Sequence, residues 1–203
     1  MTRRYACILG AVMLPLAVLA LGVAQPAEAQ QPLFQYSAKV VCGAQRPIVA
    51  TEVGEPVVKP GNYATEINIH NIQFSQQRVF KQVVLVVKNG EPVGREPNAQ
   101  PPTPFVTVPI GPRFAMMDDC NQIWEMAFPG TVPPNPMPLT IGYLSIISLV
   151  EIDVDVVYTT QVFQPQAPQD QPPSIDVERV LAKRLSTTGA GTAAVASALR
   201  AKP

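Results

Sequence analysis

The chain has 203 residues, with 15 basic and 15 acidic side chains and one histidine. That balance gives no net electrostatic pull on nucleic acid or an anionic membrane, and a single histidine excludes a two-histidine copper centre and the usual His-rich catalytic zinc centres. Charged residues are few (15%) and prolines many (23); with abundant Val and Ile, this composition favours an all-β fold with Pro-rich connections over a helical one.

The N-terminus reads as an export signal. Met1-Thr2-Arg3-Arg4 is positive, Ile8 to Val23 is apolar and uncharged, and Ala27-Glu28-Ala29 places a small-x-small site before Gln30. Cleavage after Ala29 follows, with the mature chain periplasmic or extracellular. The run is short for a membrane anchor, contains Pro15, and has no positive stop behind it. Cys7 lies ahead of the apolar run, too early to be a lipidated cysteine, and the residues after Arg3-Arg4 do not extend a twin-arginine pattern. Removing residues 1–29 from 203 leaves 174, enough for one domain with a core and tails. Arg3, Arg4 and Glu28 leave with the signal, so the mature chain is one unit acidic. No later segment is long and apolar enough to span a bilayer as a helix, and the mature protein is expected to be soluble.

Cys42 and Cys120 remain, an even pair in an oxidising compartment. They are expected to form a disulfide, worth about 4 kcal/mol for a loop of that length. The alternative is two reduced, buried thiols.

Residues 30–34 look like a loose start. Tyr36 to Cys42 is the first predicted strand, stopped by Gly43; a short strand is placed at Pro56 to Lys59, before a Pro60-Gly61-Asn62 turn. From Tyr63 to Asn71 the pattern has a period of two, with Tyr63, Thr65, Ile67 and Ile69 on one face and Glu66, Asn68 and His70 on the other. Phe80 to Lys88 is a strand whose run Val83 to Val87 predicts cover on both faces, and Asn89-Gly90 marks a turn. Glu91 to Pro104 reads as an exposed loop, and Phe105 to Ile110 as an edge strand because of Pro109. Asn121 to Phe128 suggests one or two helical turns around Trp124, before the Pro-rich loop of Pro129 to Pro138. Leu139 to Leu149 and Ile152 to Val162 read as a hairpin, with Asp153 and Asp155 on its wet face. Ser174 to Val180 is the last strand, and residues 181–203 a flexible or partly helical tail. Most aromatic residues, Phe74 among them, fall where a core would want them. The expected architecture is a single antiparallel β-sandwich over residues 30–180, immunoglobulin-like or similar, with about seven strands.

Few residues offer chemistry. His70 could join Glu66, Asp118 or Asp119 around a metal, but Glu66 and His70 stand four positions apart on a strand, with Cβ atoms roughly 13 Å apart, too far to share one ion directly. No Gly-x-Ser-x-Gly elbow accompanies His70, and a Cys-His dyad conflicts with the disulfide. Asp118 and Asp119 lack EF-hand spacing and read as solvated charges at a turn or strand end. Gly189-Ala190-Gly191 lacks the third glycine and the βαβ setting of a dinucleotide site. No cofactor and no nucleic acid are expected.

Three stretches, Tyr63 to Asn71, Asp118 to Cys120, and Val157 to Thr159 followed by Ser174 to Val180, together resemble a family of uncharacterised bacterial secreted proteins, over most of residues 36–180. That family brings no activity to transfer. The layout also resembles the small β-sandwich of the sensory rhodopsin transducer family, which implies an oligomeric binding sandwich with small-ligand recognition; because that family is not exported, only its fold is carried over. The expected function is non-enzymatic binding or assembly outside the cytoplasm, with an envelope or extracellular protein, a glycan or a second copy as partner. The alternatives are an envelope hydrolase using Glu66, His70 and the Asp118/Asp119 pair, or a metal-binding envelope protein.

Processed protein recovered from the envelope should begin at Gln30 and, unfolded without reductant, should titrate no free thiol. N-terminal sequencing with thiol titration checks both, and two titratable thiols would remove the disulfide.

Overall fold

In the first strand the backbone changes sheets. The computed structural model describes residues 32–46, 57–162 and 172–185. Strand β1 runs over Leu33–Gln45, through Gly43 rather than stopping at it. Its Phe34–Cys42 stretch pairs with β7 (Thr140–Ser148), and Gly43–Gln45 pairs with β2 (Gly61–His70). Gly43 makes this switch at φ +92, and a Cβ there would stand 2.3 Å from the Pro138 carbonyl oxygen. A side chain is excluded on both counts.

The remaining strands are β3 (Gln77–Lys88), β4 (Glu91–Pro92), β5 (Val106–Ile110), β6 (Ala115–Asp118), β8 (Asp153–Val162), β9 (Ser174–Arg179) and β10 (Lys183–Leu185), with one helix, α1 (Cys120–Ala127). The order is β4-β3-β7-β1-β2-β8-β9, with β5 on β3, β6 on β2 and β10 on β1. Every pairing between these strands is antiparallel, and the array does not close into a barrel. The fold is all-β, as composition and periodicity imply. The seven longest strands match the predicted ones, with Asn89-Gly90 turning the chain in the left-handed region at φ 54 and 83. β4, β6 and β10 are short additions; residues 57–59 form no strand. The stretch read as an export signal, Gly189-Ala190-Gly191 and much of the Pro-rich connections lie outside the described residues.

The two sheets joined by β1 press their apolar faces together. Tyr36, Ala38 and Val40 of β1, Ile67 and Ile69 of β2, Val79 and Val83 of β3, Leu144 and Ile146 of β7, and Val154 and Val156 of β8 make one core. The period of two read in β2 holds: Thr65, Ile67 and Ile69 are buried and Glu66, Asn68 and His70 are half-exposed. Where β1 and β2 diverge, side chains complete the β1 backbone. Thr65 Oγ1 accepts from the Val41 N–H and donates to the Val41 carbonyl, both at 2.9 Å, and the Tyr158 hydroxyl donates to the Lys39 carbonyl at 3.1 Å. Cys42 and Cys120 meet at disulfide distance, Cα to Cα 5.7 Å, and the Thr65 N–H points at Cys120 Sγ from 3.3 Å. The first residue of α1 is thereby fastened beside the β1 corner.

Two expectations are corrected. β7 and β8 are not a hairpin: β7 pairs with β1 and β3, whereas β8 pairs with β2 and β9. Their periodicities differ for this reason. β7 is buried at every position but Tyr143 because it lies mid-sheet with both faces covered, whereas β8 alternates on a half-wet layer. The connection after Ser148 crosses between layers, held by the Ile152 N–H donating to the Tyr36 hydroxyl at 2.9 Å. The sandwich also extends past residue 180. β10 pairs with Leu33–Gln35, and Leu185 packs against the cluster of Leu33, Phe80 and Ile147, a site assembled from distant parts of the chain.

Burial lifts the Tyr36 hydroxyl above its ordinary value of 10.0, as it does for Tyr158 and Tyr63. The unfolded chain therefore releases these protons first as pH rises. Stability should hold up to about pH 10 and fall above it, as urea titrations at about pH 9 and 11 would show. Tyr36→Phe should flatten part of that fall and, by orphaning the Ile152 N–H, cost about 1–3 kcal/mol at neutral pH.

Candidate functional site

The four residues singled out for chemistry do not converge. Glu66 and His70 share the outer face of β2, where the Asn68 amide donates to Glu66 Oε1 at 3.0 Å and His70 stands opposite Asp153 of β8 and Ala115 of β6. Asp118 is opposite Ile67 and so faces inward. Asp119 is the N-cap of α1, its Oδ1 accepting from the Asn121 and Gln122 N–H groups at 2.9 Å each. Asp153 pairs with Arg179 on the outer face. Among the described residues, no group of three or more His, Cys, Asp or Glu is arranged to hold a metal ion.

Asp118 is the main correction. It is no solvated strand-end charge but is 2% exposed, with both oxygens bonded to Lys81 Nζ at 2.7 and 2.9 Å. Lys81 belongs to β3 and alternates inward with Val79 and Val83, in register with Ile146. A lysine at core parity is the sequence signal for this pair, but its partner comes from the other layer. In so dry a place neither charge is tolerable without the other.

The pair lies in the wall of a cleft. β5 pairs with β3 alone and β6 with β2 alone, so the two strands leave a seam between the layers, roofed by α1. The cleft holds about 480 Å³. Phe105, Val106, Val108, Met116, Met117 and Met126 supply its apolar lining, and Gln122 and Glu125 of α1 its polar rim. Phe105 stands edge-on to Phe80 at 6.1 Å, which fixes one wall. On the helix side Trp124 packs at a tilt against Phe128 and donates its indole N–H to Thr131 Oγ1 at 3.0 Å, holding α1 against the following loop. None of these cleft residues is conspicuous in sequence, because each is an ordinary apolar residue until two strand edges and a helix bring them together.

No family model matches the chain, and no curated protein matches it in sequence. Among solved structures, the chain is similar to one titled "Crystal Structure of Thermotoga maritima 1070", at 8% identity and a TM-score of 0.35, covering 74% of this chain and 92% of that one. A likeness of that size carries no argument about this chain.

Lys81→Met should strand a buried carboxylate and cost about 3–5 kcal/mol in urea unfolding. The double change Lys81→Met/Asp118→Leu should recover most of that loss; a single mutant as stable as the parent would mean that the pair is not desolvated.

Proposed function

We propose that this protein is an exported, non-enzymatic binding protein whose cleft between β5, β6 and α1 takes a small, largely apolar ligand carrying a hydrogen-bond acceptor. The observation that carries this reading is the cleft itself, about 480 Å³ with a mostly apolar lining and a buried ion pair in its wall. That size and that mix of many apolar groups with a few fixed polar ones suit small-molecule sites. An ammonium has three N–H donors, and the hydrogen bonds of Lys81 go to the two oxygens of Asp118; this reading assigns the third donor to a ligand acceptor. Three methionines give the walls the adaptability of flexible thioethers. The Arg3-Arg4 leader with its Ala27-Glu28-Ala29 site, together with the Cys42–Cys120 pair, supports export. A hydrolase built on Glu66, His70, Asp118 and Asp119 gains no support, since Asp118 faces the core, Asp119 caps a helix and the other two face outward.

The neutral probe N-phenyl-1-naphthylamine should bind the leader-free protein saturably at one site. Val106→Glu and Met117→Glu change rim residues that are 40% and 49% exposed, so the fold should survive them. Each is expected to weaken probe binding more than about tenfold by placing a carboxylate in the apolar wall. Absent saturable binding, or the parent's affinity retained in both variants, would defeat the cleft as the ligand site.

A further inference from the structure

A second feature lies at the end of the sandwich where β2 gives way to β3 and β5 to β6. Two loops meet there, residues 71–76 and 111–114, and Asn71 fastens them. Asn71 is 0% exposed; its Nδ2 donates to the carbonyls of Ser75, Ile110 and Gly111 at 2.9, 3.2 and 2.8 Å. Its Oδ1 accepts from the Gln73 N–H at 3.0 Å, and its own N–H donates to the Phe114 carbonyl at 2.9 Å. Arg113 adds a second brace. Its N–H donates to the Gln73 carbonyl at 3.1 Å and its Nη1 to the Ile72 carbonyl at 3.0 Å, while its backbone is held at φ 63, a region few non-glycine residues occupy. The Gln73 amide also donates to the Glu151 carbonyl at 3.2 Å, tying the loops to the β7–β8 connection.

What this frame displays is apolar. Phe74 is 89% exposed and Phe114 67%, and the Arg113 guanidinium sits 5.4 Å from the Phe74 ring centre. Sequence reading counts Phe74 as a core residue; it is instead among the most exposed large apolar side chains described. Loops that need only connect strands have no use for two solvated phenyl rings on a strained, heavily bonded base.

We propose that Phe74, Phe114 and Arg113 form a lipid-docking tip that seats this end of the sandwich reversibly on a phospholipid bilayer. The shape favours a bilayer. The rings stand in the two loops and are largely in water, and a bilayer accepts an exposed ring without a matching pocket. The hydrogen bonds of the Asn71 and Gln73 amides are spent inside the frame, so neither is presented beside the rings. A guanidinium next to a phenyl ring suits the headgroup boundary, where the ring enters the acyl region and the cation meets phosphate. A near-neutral chain predicts attachment by the rings, with Arg113 adding preference for anionic lipid. This tip is independent of the cleft, and either can hold without the other.

Co-sedimentation of the leader-free protein with sucrose-loaded phosphatidylcholine vesicles tests the idea, because the apolar leader would itself bind lipid. Binding is expected, and Phe74→Ser/Phe114→Ser should lower the partition coefficient more than about tenfold. Including about a third phosphatidylglycerol should strengthen binding by about fivefold, a gain that Arg113→Gln removes while retaining most of the binding to phosphatidylcholine. Should the double variant melt differently from the parent, Phe74→Ser alone, at the more exposed ring, gives the reading. No partition of the parent onto either vesicle, or full partition of a variant lacking the rings, overturns the proposal; the first result would point to a protein partner instead.

Discussion

β1 belongs to both sheets, and the chain can make it so only because Gly43 accepts φ +92 and leaves to the Pro138 carbonyl the space a Cβ would take. Much else is arranged around that corner. Cys42 directly precedes it and meets Cys120 at disulfide distance, so the first turn of α1 is placed where the layers are already joined. Thr65 and Tyr158 supply the hydrogen bonds that β1 loses as it parts from β2. The layers are continuous through backbone pairing here.

Between β5 and β6 the situation differs. Those strands do not pair with each other, and the Lys81–Asp118 ion pair links the layers there. A bonded corner and an unpaired seam explain why the cleft lies where it does. The seam tolerates a cavity because its strands are edges, and it keeps its spacing because a buried charge pair has a narrow range of acceptable separations. Pro109 in β5 fits the same picture, since proline suits a strand with one free edge.

How much of this was legible depends on whether the signal is local. The alternation from Tyr63 to Asn71 reports a half-buried strand residue by residue, and the short helix around Trp124 is foreseen between two Pro-rich stretches, whereas the Asp119 cap that starts it is read only from the structure. The β7–β8 error shows the limit. Two strands joined by a short link look like a hairpin, yet one is covered on both faces and the other on one, and only the sheet order explains why. β6 and β10 are too short to carry a period, and their pairing partners lie far away in the chain.

The candidate sites divide the same way. His70 and the acidic pair are residue types that chemistry favours, but their roles follow from which face each occupies, and one residue of slip in register would exchange those faces. By itself the sequence determined the all-β class, the seven long strands and the expectation of export and cysteine pairing, because period, composition and turn residues act over a few positions. Only the tertiary structure decided that Lys81 meets Asp118, that ordinary Phe, Val and Met side chains enclose a cleft, and that Phe74 and Phe114 stand in water on a frame built by Asn71. Those outcomes depend on contacts between segments tens of residues apart, and no local pattern encodes which segments will meet.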